Sequence, residues 1–584
     1  MKKYLLKTRK SYSIVEALLA AALFSLVVTA FSGAYIYGRE STALAGKRDR
    51  AHFVAKEGLE AVRNIRDNAW ANLSDGNYSL AVSGTTYSLV PVSTPDVTDI
   101  FSRAINISTV DSKRKKITST VTWVQNLQRS GSIALTTYLA NWSTTVSVNK
   151  GGMLVYSNGG TTTDAMEYKI FDANTNTWSA AAATSDVDGA TTNKVMRAAK
   201  LYSSTTRNEK ILISRHYNGV NQYIYSQVWN GTTWNTPTLI STIPAITFLD
   251  VQNFDGVYLA NGDFVTMYSD NTTTPKFRVW NGSVWGSAVS AQISGGVPVY
   301  IVMKVRPGTS EIMAIVFDNQ SDTNSQYYDG TGYTTADWTA HSEHSTQAPV
   351  ATKRLIDFDW SPLSPTKGLM AFSNNQNDRS IRYKVFTANG TGGGSWSNTT
   401  NGANQGSSPT RLAAMRVMAR PSSNEFLVCS QNTVPQVICY RADITPTLTN
   451  PTNQIVATLA DADIQKAYDV GYEMAGVNAI ALYANQSVTP QIKKYNPTTN
   501  TFDAAATTIN NLGSNLKTVR TIANPTTNDL MILLGEQNRS LSSIVWNGTA
   551  HAVYGSADAW GFNNHVSSGA SPEDYYYDFA WDIF

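Results

Sequence analysis

A short turn rich in tryptophan, asparagine and glycine recurs through most of this 584-residue chain. Its plainest copies are VWNGTTW at 228–234, VWNGSVW at 279–285 and VWNGTAHAV at 545–553. Related segments at 170–178, 327–333, 385–396, 439–448 and 494–502 bring the number to eight, spaced 48 to 58 residues apart. Because recurrence at such a period indicates an array of similar units, the period constrains the fold more than any single segment does.

Each copy of the turn follows two further strand-like runs, as in AYDVGYE, AIALYAN and QIKKYNP within 467–497. About four short strands in a unit of this length is typical of a β-propeller blade. The C-terminal YYYDFAWDIF (575–584) resembles a first strand with nothing after it, and GGMLVYSNGG (151–160) resembles a second strand with nothing before it. We therefore predict an all-β, eight-bladed β-propeller over 153–584, closed by the C-terminal strand.

The first strands of these units carry acidic and basic residues in alternation at one aligned position, with a break at Val302. In ring order the charged members are Asp578, Arg197, Asp250, Asp357, Arg416, Asp469 and Arg520. The next residue is mostly apolar, so the charged side chains should face the central channel. Charges that are desolvated there need partners, and we interpret the set as a structural girdle of ion pairs. Ligand binding or acid–base catalysis is the alternative, since carboxylates near arginine also occur in hydrolase sites.

The N-terminus combines a basic leader with a long apolar run. The basic residues are Lys2, Lys3, Lys7, Arg9 and Lys10. The run from Ile14 to Tyr37 contains one ionised side chain, Glu16. This pattern predicts a transmembrane helix whose leading end stays in the cytoplasm. A carboxylate in such a helix costs roughly 2.5–3.5 kcal/mol without a partner, so Glu16 indicates a function beyond anchoring.

The segment SYSIVE at 11–16, with its basic leader and apolar continuation, resembles the class III leader of type IV prepilins. The resemblance implies cleavage after Ser11, N-methylation of Tyr12, and contact of Glu16 with a neighbouring subunit's terminal amine during assembly. The family usually has glycine where this chain has Ser11. A secretory signal cut near 43–45 is the alternative, but its apolar core would be unusually long.

Apolar residues continue at helical spacing from Ala51 to Ala69, and the segment 51–80 resembles minor pilins of the pilus-modification type. Alternating runs at 102–110, 115–124 and 131–142 predict an antiparallel meander packed on this helix, which makes an α+β pilin stem. The predicted organisation is a leader at 1–11, a helix at 12–72 with its transmembrane part at 14–37, a β-sheet head at 73–142, a linker at 143–152 and the propeller.

Composition excludes some classes of function. Charged residues make up 15% of the chain and the net charge is +3, which argues against a nucleic-acid footprint. Cys429 and Cys439 are the only cysteines and could form a disulfide across a hairpin, or remain two buried thiols. His341 and His344 lack a third metal ligand nearby. We expect no cofactor and no metal.

These features favour a minor type IV pilin, present at low copy or at the fibre tip, that displays its propeller for adhesion and is not an enzyme. Its expected partners are other pilins, a prepilin peptidase, an inner-membrane assembly platform and an unknown surface, glycan or protein. It should occupy the cytoplasmic membrane before assembly and the cell surface afterwards. The alternatives are an envelope-tethered propeller glycosidase, lyase or lectin, and a pseudopilin of a secretion or DNA-uptake system.

Overall fold

The chain divides into two compact units, residues 1–147 and 148–584. The computed structural model describes residues 13–584 except 69, 84–85, 95, 112–113, 127–128, 141–150, 158–164, 188, 190–193, 245–250, 346–353, 375–378, 391, 405–411, 433–435, 446–447, 450, 452–454, 459–465, 477, 485–487, 510–511, 538–539 and 555–575. Within these described residues, the first unit combines a long helix with one sheet, and the second contains strands with one short 3₁₀ turn, Thr335–Asp337.

Helix α1 runs from Ile14 to Asn68 and is followed by a 3₁₀ turn at Trp70–Asn72. Its N-terminal part is long and apolar enough to cross a membrane, and the side chains there are exposed. Its C-terminal part buries one face that includes Val54, Leu59 and Val62. A long apolar N-terminal helix of this kind indicates a membrane anchor or a signal sequence.

The head sheet packs on this buried face. Its strands are Gly76–Ser83, Thr86–Pro91, Asp96–Thr98, Phe101–Asp111, Arg114–Asn126 and Arg129–Ala140. All pairs are antiparallel, and the last three strands are consecutive neighbours. Helix and sheet approach closely at Gly58, where a Cβ atom would lie 2.7 Å from Ser119 Oγ and 2.8 Å from Arg103 Cδ. A larger residue there would push the helix off the sheet.

Eight further sheets of four or five strands follow in the described part of the chain, and we number them 1 to 8. Sheet 1 contains Tyr577–Trp581, Gly152–Tyr156, Glu167–Asp172, Thr177–Trp178 and Ala182–Ala183. Sheet 2 contains Val195–Ser203, Lys210–Tyr217, Asn221–Trp229 and Thr238–Pro244. Sheet 3 contains Phe254–Tyr258, Phe264–Tyr268, Lys276–Trp280 and Val289–Ser290. Sheet 4 contains Pro298–Val305, Ile312–Asp318, Thr323–Tyr328 and Trp338–Ala340.

The remaining sheets repeat the same plan. Sheet 5 contains Ile356–Trp360, Lys367–Phe372, Ser380–Ala388, Gly394–Trp396 and Thr400–Asn404. Sheet 6 contains Leu412–Ala419, Glu425–Asn432, Gln436–Asp443, Leu448–Thr449 and Ile455–Thr458. Sheet 7 contains Tyr468–Tyr472, Ala479–Tyr483, Gln491–Asn496, Thr501–Phe502 and Thr507–Thr508. Sheet 8 contains Leu516–Ala523, Leu530–Glu536, Leu541–Trp546 and His551–Tyr554.

The strand named first in each sheet is called its first strand, and these strands alternate between two kinds. In sheets 1, 3, 5 and 7 the first strand has five residues and pairs without a register shift. In sheets 2, 4, 6 and 8 it has eight or nine residues and a register shift near its start. The repeating structural unit is therefore two sheets, whereas the sequence predicted one.

The recurrent turn of the sequence has a local cause. The Asn230 Oδ1 atom accepts hydrogen bonds from the backbone N–H groups of Thr232 (3.0 Å) and Thr233 (2.9 Å). Gly231 has a φ of +97°, a conformation that glycine adopts without strain. The Asn–Gly pair therefore folds the turn by itself, and its repetition marks the end of a third strand.

Candidate functional site

A cavity of about 380 Å³ lies among the first strands of the eight sheets. Each sheet contributes to its lining through the first strand or the residues just before it. Its charged lining residues are Lys200, Lys304, Arg354, Arg416, Lys466 and Arg520, with Asp255, Asp469 and Asp578. Six cations against three carboxylates leave a positive lining, and low-dielectric walls around such a cavity concentrate anions.

One residue of each first strand forms what we call the charged ring. From sheet 1 to sheet 8 its members are Asp578, Lys200, Asp255, Val302, Asp357, Arg416, Asp469 and Arg520. The odd-numbered sheets contribute aspartates, and the even-numbered sheets contribute cations except at Val302. Hydrogen bonds show that these eight positions are equivalent. Each ring aspartate accepts a hydrogen bond from a backbone N–H of the next sheet, and that N–H belongs to the residue directly after the ring member of that sheet.

The ring aspartates join neighbouring sheets. The carboxylates of Asp578, Asp255, Asp357 and Asp469 accept hydrogen bonds from the backbone N–H groups of Leu201 (2.8 Å), Met303 (2.9 Å), Val417 (2.9 Å) and Thr521 (2.8 Å), respectively. In the first three, the other oxygen accepts the N–H of the following residue. Buried carboxylates that hold backbone donors in this way have a structural role.

The cations pair with these aspartates unevenly. Lys200 Nζ lies 2.8 Å from Asp255, and Arg520 Nε lies 3.1 Å from Asp578. Arg416 contacts two aspartates at longer range, with 3.5 Å from its Nη1 to Asp357 and 3.4 Å from its Nε to Asp469. Two cations from outside the ring add to this cluster.

The two added cations each precede a ring aspartate by three residues. Arg354 Nη2 lies 3.7 Å from Asp357, and Lys466 Nζ lies 3.0 Å from Asp469. Three cations, including Arg416, therefore share two carboxylates on this side of the cavity. The excess positive charge is greatest here.

Burial and neighbouring charges shift the pKa values of the ring aspartates in opposite directions: burial raises them and nearby cations lower them. Burial alone would raise the pKa of Asp255, Asp357 and Asp469, but Lys200, Arg416 and Lys466 beside them bring each pKa below its ordinary value. Burial raises the pKa of Asp578 despite Arg520. It also lowers the pKa of Lys200 despite Asp255. Three of the four aspartates are therefore held as anions by neighbouring cations.

Two members of the sequence-based ring were misaligned. Arg197 is the extra residue at the register shift between Met196 and Ala198, and its guanidinium lies 5.8 Å from the Tyr217 ring centre. Lys200 takes the ring position instead. Asp250 lies outside the described residues, and Asp255 occupies the ring position of sheet 3.

A signal for the correct register was present in the sequence. Each ring aspartate is followed three residues later by an aromatic residue, in DGVY (255–258), DFDW (357–360), DVGY (469–472) and DFAW (578–581). Sequence reasoning also missed Tyr202, whose hydroxyl donates a 2.8 Å hydrogen bond to Asp255. Lys304, Arg354 and Lys466 were missed because they lie outside the aligned position.

The other candidate residues lie away from this cavity. Cys429 and Cys439 face each other on adjacent strands of sheet 6 and form a disulfide. His341 and His344 both contact Ser325 Oγ, at 3.2 and 2.9 Å. Burial lowers the pKa of His344 to about 3, so its imidazole is neutral. Among the described residues no group of three or more His, Cys, Asp and Glu side chains could hold a metal ion.

At the start of helix α1, Glu16 has a local partner. Its Oε2 accepts a hydrogen bond from the Ser13 backbone N–H (3.1 Å), and Ser13 Oγ accepts one from the Val15 N–H (3.2 Å). This reciprocal cap satisfies donors that a helix start leaves free. A plain membrane anchor thus also accounts for Glu16. Ser11 and Tyr12 lie outside the described residues.

No protein-family model and no curated protein matches the sequence. Among solved structures, the BP39L lectin of Burkholderia pseudomallei is similar, with a TM-score of 0.42 and 10% identity over 62% of this chain and 99% of the lectin. The periplasmic gluconolactonase of Pseudomonas aeruginosa has a TM-score of 0.39 and 10% identity over 65% and 99% of the two chains. The SapL1 lectin has a TM-score of 0.33 and 10% identity over 62% and 96%.

The chain thus has a long apolar N-terminal helix followed by an all-β unit that resembles β-propeller lectins and lactonases. The sequence-based prediction that it is not an enzyme is wrong on this comparison, because the similar structures include a gluconolactonase. That prediction came from the absence of a known catalytic motif. Such an absence says little, because one fold can host many unrelated functions.

Proposed function

We propose that the protein is a membrane-anchored β-propeller that binds a small anionic ligand in its axial cavity, as a receptor or as an enzyme. The observation that carries this proposal is the composition of the cavity wall, which six cations and three carboxylates line. Asp357 and Asp359 pair with three of these cations from behind the lining, and an excess of positive charge remains. The ring aspartates also hold backbone N–H groups of neighbouring sheets. The cations that pair with them line the open space of the cavity. An anion in that space would complete their charge balance.

The proposal treats sheets 1 to 8 as the blades of one closed ring. Contacts between consecutive first strands support this. The aspartate hydrogen bonds join sheet 1 to 2, 3 to 4, 5 to 6 and 7 to 8. Sheets 2 and 3 are joined by Lys200 and Asp255, and sheets 6 and 7 by Arg416 and Asp469.

The two remaining junctions use tryptophan. Trp360 Nε1 donates to the Lys304 carbonyl (3.1 Å) between sheets 5 and 4, and Trp581 Nε1 donates to the Ile522 carbonyl (2.9 Å) between sheets 1 and 8. Tyr577–Trp581 also pairs with Gly152–Tyr156. In this arrangement the C-terminal strand closes the ring, because it shares a sheet with the beginning of the unit and contacts its last sheet.

The test measures binding to the full-length protein in non-ionic detergent micelles. The probes are glucuronate, phenylacetate and inorganic phosphate, with glucose and 2-phenylethanol as neutral counterparts. At least one anion should bind, more weakly as salt increases, and neither neutral compound should bind comparably. Arg416→Gln should weaken binding. Arg278→Gln, which removes a cation of sheet 3 outside the cavity lining, should not. Absence of anion binding, or equal binding of a neutral counterpart, overturns the proposal.

We further propose that the first unit is a pilin-type stem, which carries the propeller to a fibre or to the cell surface. The observation that favours this is the division of helix α1 into an exposed apolar part and a part that packs on an antiparallel sheet. The apolar part can pack with equivalent helices of other subunits once they leave the membrane. The protein would then be a minor pilin or pseudopilin with adhesion as its role.

Mass spectrometry of the mature N-terminus tests the stem. A pilin-type stem should begin at Tyr12, with an added methyl group, whereas a secretory signal would leave a start near Gly46. Glu16→Ala should reduce incorporation into fibres and leave membrane insertion intact. Glu40→Ala, in the same helix beyond the apolar run, is the matched control. Removal of residues 153–584 should spare fibre formation and reduce attachment; normal attachment without these residues would exclude an adhesive role.

A further inference from the structure

The cavity wall has two layers of different chemistry. Side chains two residues apart on a strand point to the same side. The residue two positions after each ring member therefore continues the cavity wall along the strand. Four of these residues are half-buried, line the cavity and carry apolar or aromatic side chains: Tyr202, Val257, Met418 and Ile522. We call them the apolar layer. Lys304 lies at the same level and pairs with Asp359, the residue two positions after Asp357, at 3.8 Å.

Within the charged ring, Arg416 makes longer contacts with its aspartates than Lys200 or Arg520 does. Its contacts with Asp357 and Asp469 are 3.5 and 3.4 Å long, and its buried Nε has no hydrogen-bond partner. Hydrogen bonds between ionised groups usually measure 2.7–2.9 Å. By contrast, Lys200 lies 2.8 Å from Asp255. A guanidinium has five N–H donors, so Arg416 can bind an additional acceptor without giving up its aspartates.

We propose that the ligand is an amphipathic organic anion, with a carboxylate or phosphate group against Arg416 and an apolar body against Met418 and Ile522. This inference rests on the proposed function, since it names the ligand class and orientation in the same cavity. Met418 follows Arg416 by two residues on the same strand, so one molecule can contact both. The planar guanidinium fits either oxyanion.

The same geometry disfavours a sugar acid. Its hydroxyl groups would lie against Met418, Ile522 and Val257, which offer no hydrogen bonds, and buried polar groups without partners cost free energy. The cavity volume of about 380 Å³ lies at the lower end of the range for small-molecule sites. A ring or short chain with one acidic group fits these limits.

The experiment compares four probes on the full-length protein: phenylacetate, phenyl phosphate, glucuronate and 2-phenylethanol. Titration calorimetry in non-ionic micelles gives the affinities, and empty micelles correct for partitioning. Phenylacetate or phenyl phosphate should bind about tenfold more tightly than glucuronate and 2-phenylethanol. Whichever of the two binds more tightly identifies the acidic group.

Variants then locate the two ends of the bound molecule. Arg416→Gln should weaken binding of the aromatic anion about tenfold, and Arg416→Lys should restore part of it. Met418→Gln, which keeps the side-chain volume, should weaken binding of phenylacetate about fivefold and leave glucuronate unchanged. Arg278→Gln should change neither affinity. Thermal melting of each variant separates a lost contact from a lost fold.

The outcomes distinguish this inference from the one on which it rests. If glucuronate binds as tightly as phenylacetate and Met418→Gln affects neither, the cavity is an anion site but the amphipathic class is wrong. If binding is equally sensitive to Arg520→Gln and insensitive to Arg416→Lys, the orientation is wrong. If no anion binds, both proposals fail.

Discussion

The odd-numbered and even-numbered sheets differ in a way that organises the whole second unit. The odd sheets have short first strands with a ring aspartate, and that aspartate accepts a backbone N–H from the next sheet. The even sheets have longer first strands that provide this N–H and, except at Val302, a ring cation. The aspartate of an odd-numbered sheet therefore needs the N–H of an even-numbered sheet, and the cation of an even-numbered sheet needs a carboxylate of an odd-numbered one.

The register shift belongs to this difference. In sheets 2, 4, 6 and 8 the extra residue is Arg197, Val299, Ala413 and Lys517, in each case three residues before the ring position. A β-bulge re-aims the side chains that follow it. In every even-numbered sheet, therefore, a bulge lies three residues before the ring position, which holds a cation or Val302. A ring aspartate of an odd-numbered sheet finds its inter-sheet backbone N–H donor only on the next, even-numbered sheet, so the smallest complete unit is a pair of sheets.

Deleting residues 575–584 should have the largest effect. The deletion removes the first strand of sheet 1 with Asp578, and leaves Gly152–Tyr156 as an unpaired edge. We expect loss of cooperative unfolding and a tendency to aggregate, measured by calorimetry and light scattering. A truncated protein that melts as the full chain does would show that one member of a sheet pair is dispensable.

Removing a ring aspartate should be the next largest change. Asp357→Ala leaves Arg354 and Arg416 without their shared carboxylate and the Val417 N–H without its acceptor. Breaking a buried pair of this kind costs about 3–5 kcal/mol of unfolding free energy. Chemical denaturation measures it. Asp172→Ala, at the exposed end of the strand Glu167–Asp172, is the control; this carboxylate accepts the exposed Asn174 N–H and pairs with no buried cation among the described residues, so its loss should cost much less.

The pH dependence should differ between two aspartates of the same ring. The pKa of Asp357 is below its ordinary value of 3.8, so its stabilisation is present at neutral pH and is lost as pH falls through its folded-state pKa. The pKa of Asp578 is raised, so its ionised form disfavours folding at neutral pH and protonation removes that cost as pH falls.

Stability curves of Asp357→Asn and Asp578→Asn against the parent protein measure this contrast. The unfolding free energy of the unmutated protein should exceed that of Asp357→Asn at neutral pH, and this difference should shrink only below pH 3.8. The parent should gain stability relative to Asp578→Asn on acidification towards that value. Parallel curves for the two variants would mean that the two aspartates have the same environment.

Replacing a ring cation should have the smallest effect. In Arg416→Met, Asp357 keeps Arg354 and Asp469 keeps Lys466, so neither carboxylate is left alone. The side chain also lines an open cavity. We expect a loss of about 1 kcal/mol in unfolding free energy, well below that of Asp357→Ala. A loss as large as that of the aspartate variant would show that cations and carboxylates contribute equally to the ring.

Some features of the architecture followed from local patterns. Turns such as Asn230–Gly231 fold from their own residues, and the spacing of the recurrent segment predicted a series of similar units. The incomplete units at 151–160 and 575–584 separately predicted that the C-terminal strand shares a sheet with the first of them. The apolar run predicted the exposed part of helix α1. In the head, three of the strands followed from alternation, but Gly76–Ser83, Thr86–Pro91 and Asp96–Thr98 were missed.

The charged ring shows where local patterns were insufficient. Alternation of acid and base on the first strands was visible in the sequence, and Asp357, Arg416, Asp469, Arg520 and Asp578 lie at equivalent positions. Arg197 was chosen because it and Lys200 are both cations on the same strand, so charge alone did not decide which of them takes the ring position; the structure places Arg197 at the bulge, three residues earlier. Arg354 and Lys466 were invisible because they reach the cavity from outside the repeated position.

The sequence by itself determined the repeat, the turns, the long apolar helix and the alternation of charge, since each depends on residues close together in the chain. The tertiary structure decided which charges meet, how many cations share each carboxylate, and which apolar side chains lie beside Arg416. The ion pairs between ring members join first strands about 50 residues or more apart in the chain. They depend on the register that packing selects, and a shift of one residue turns a side chain to the opposite face.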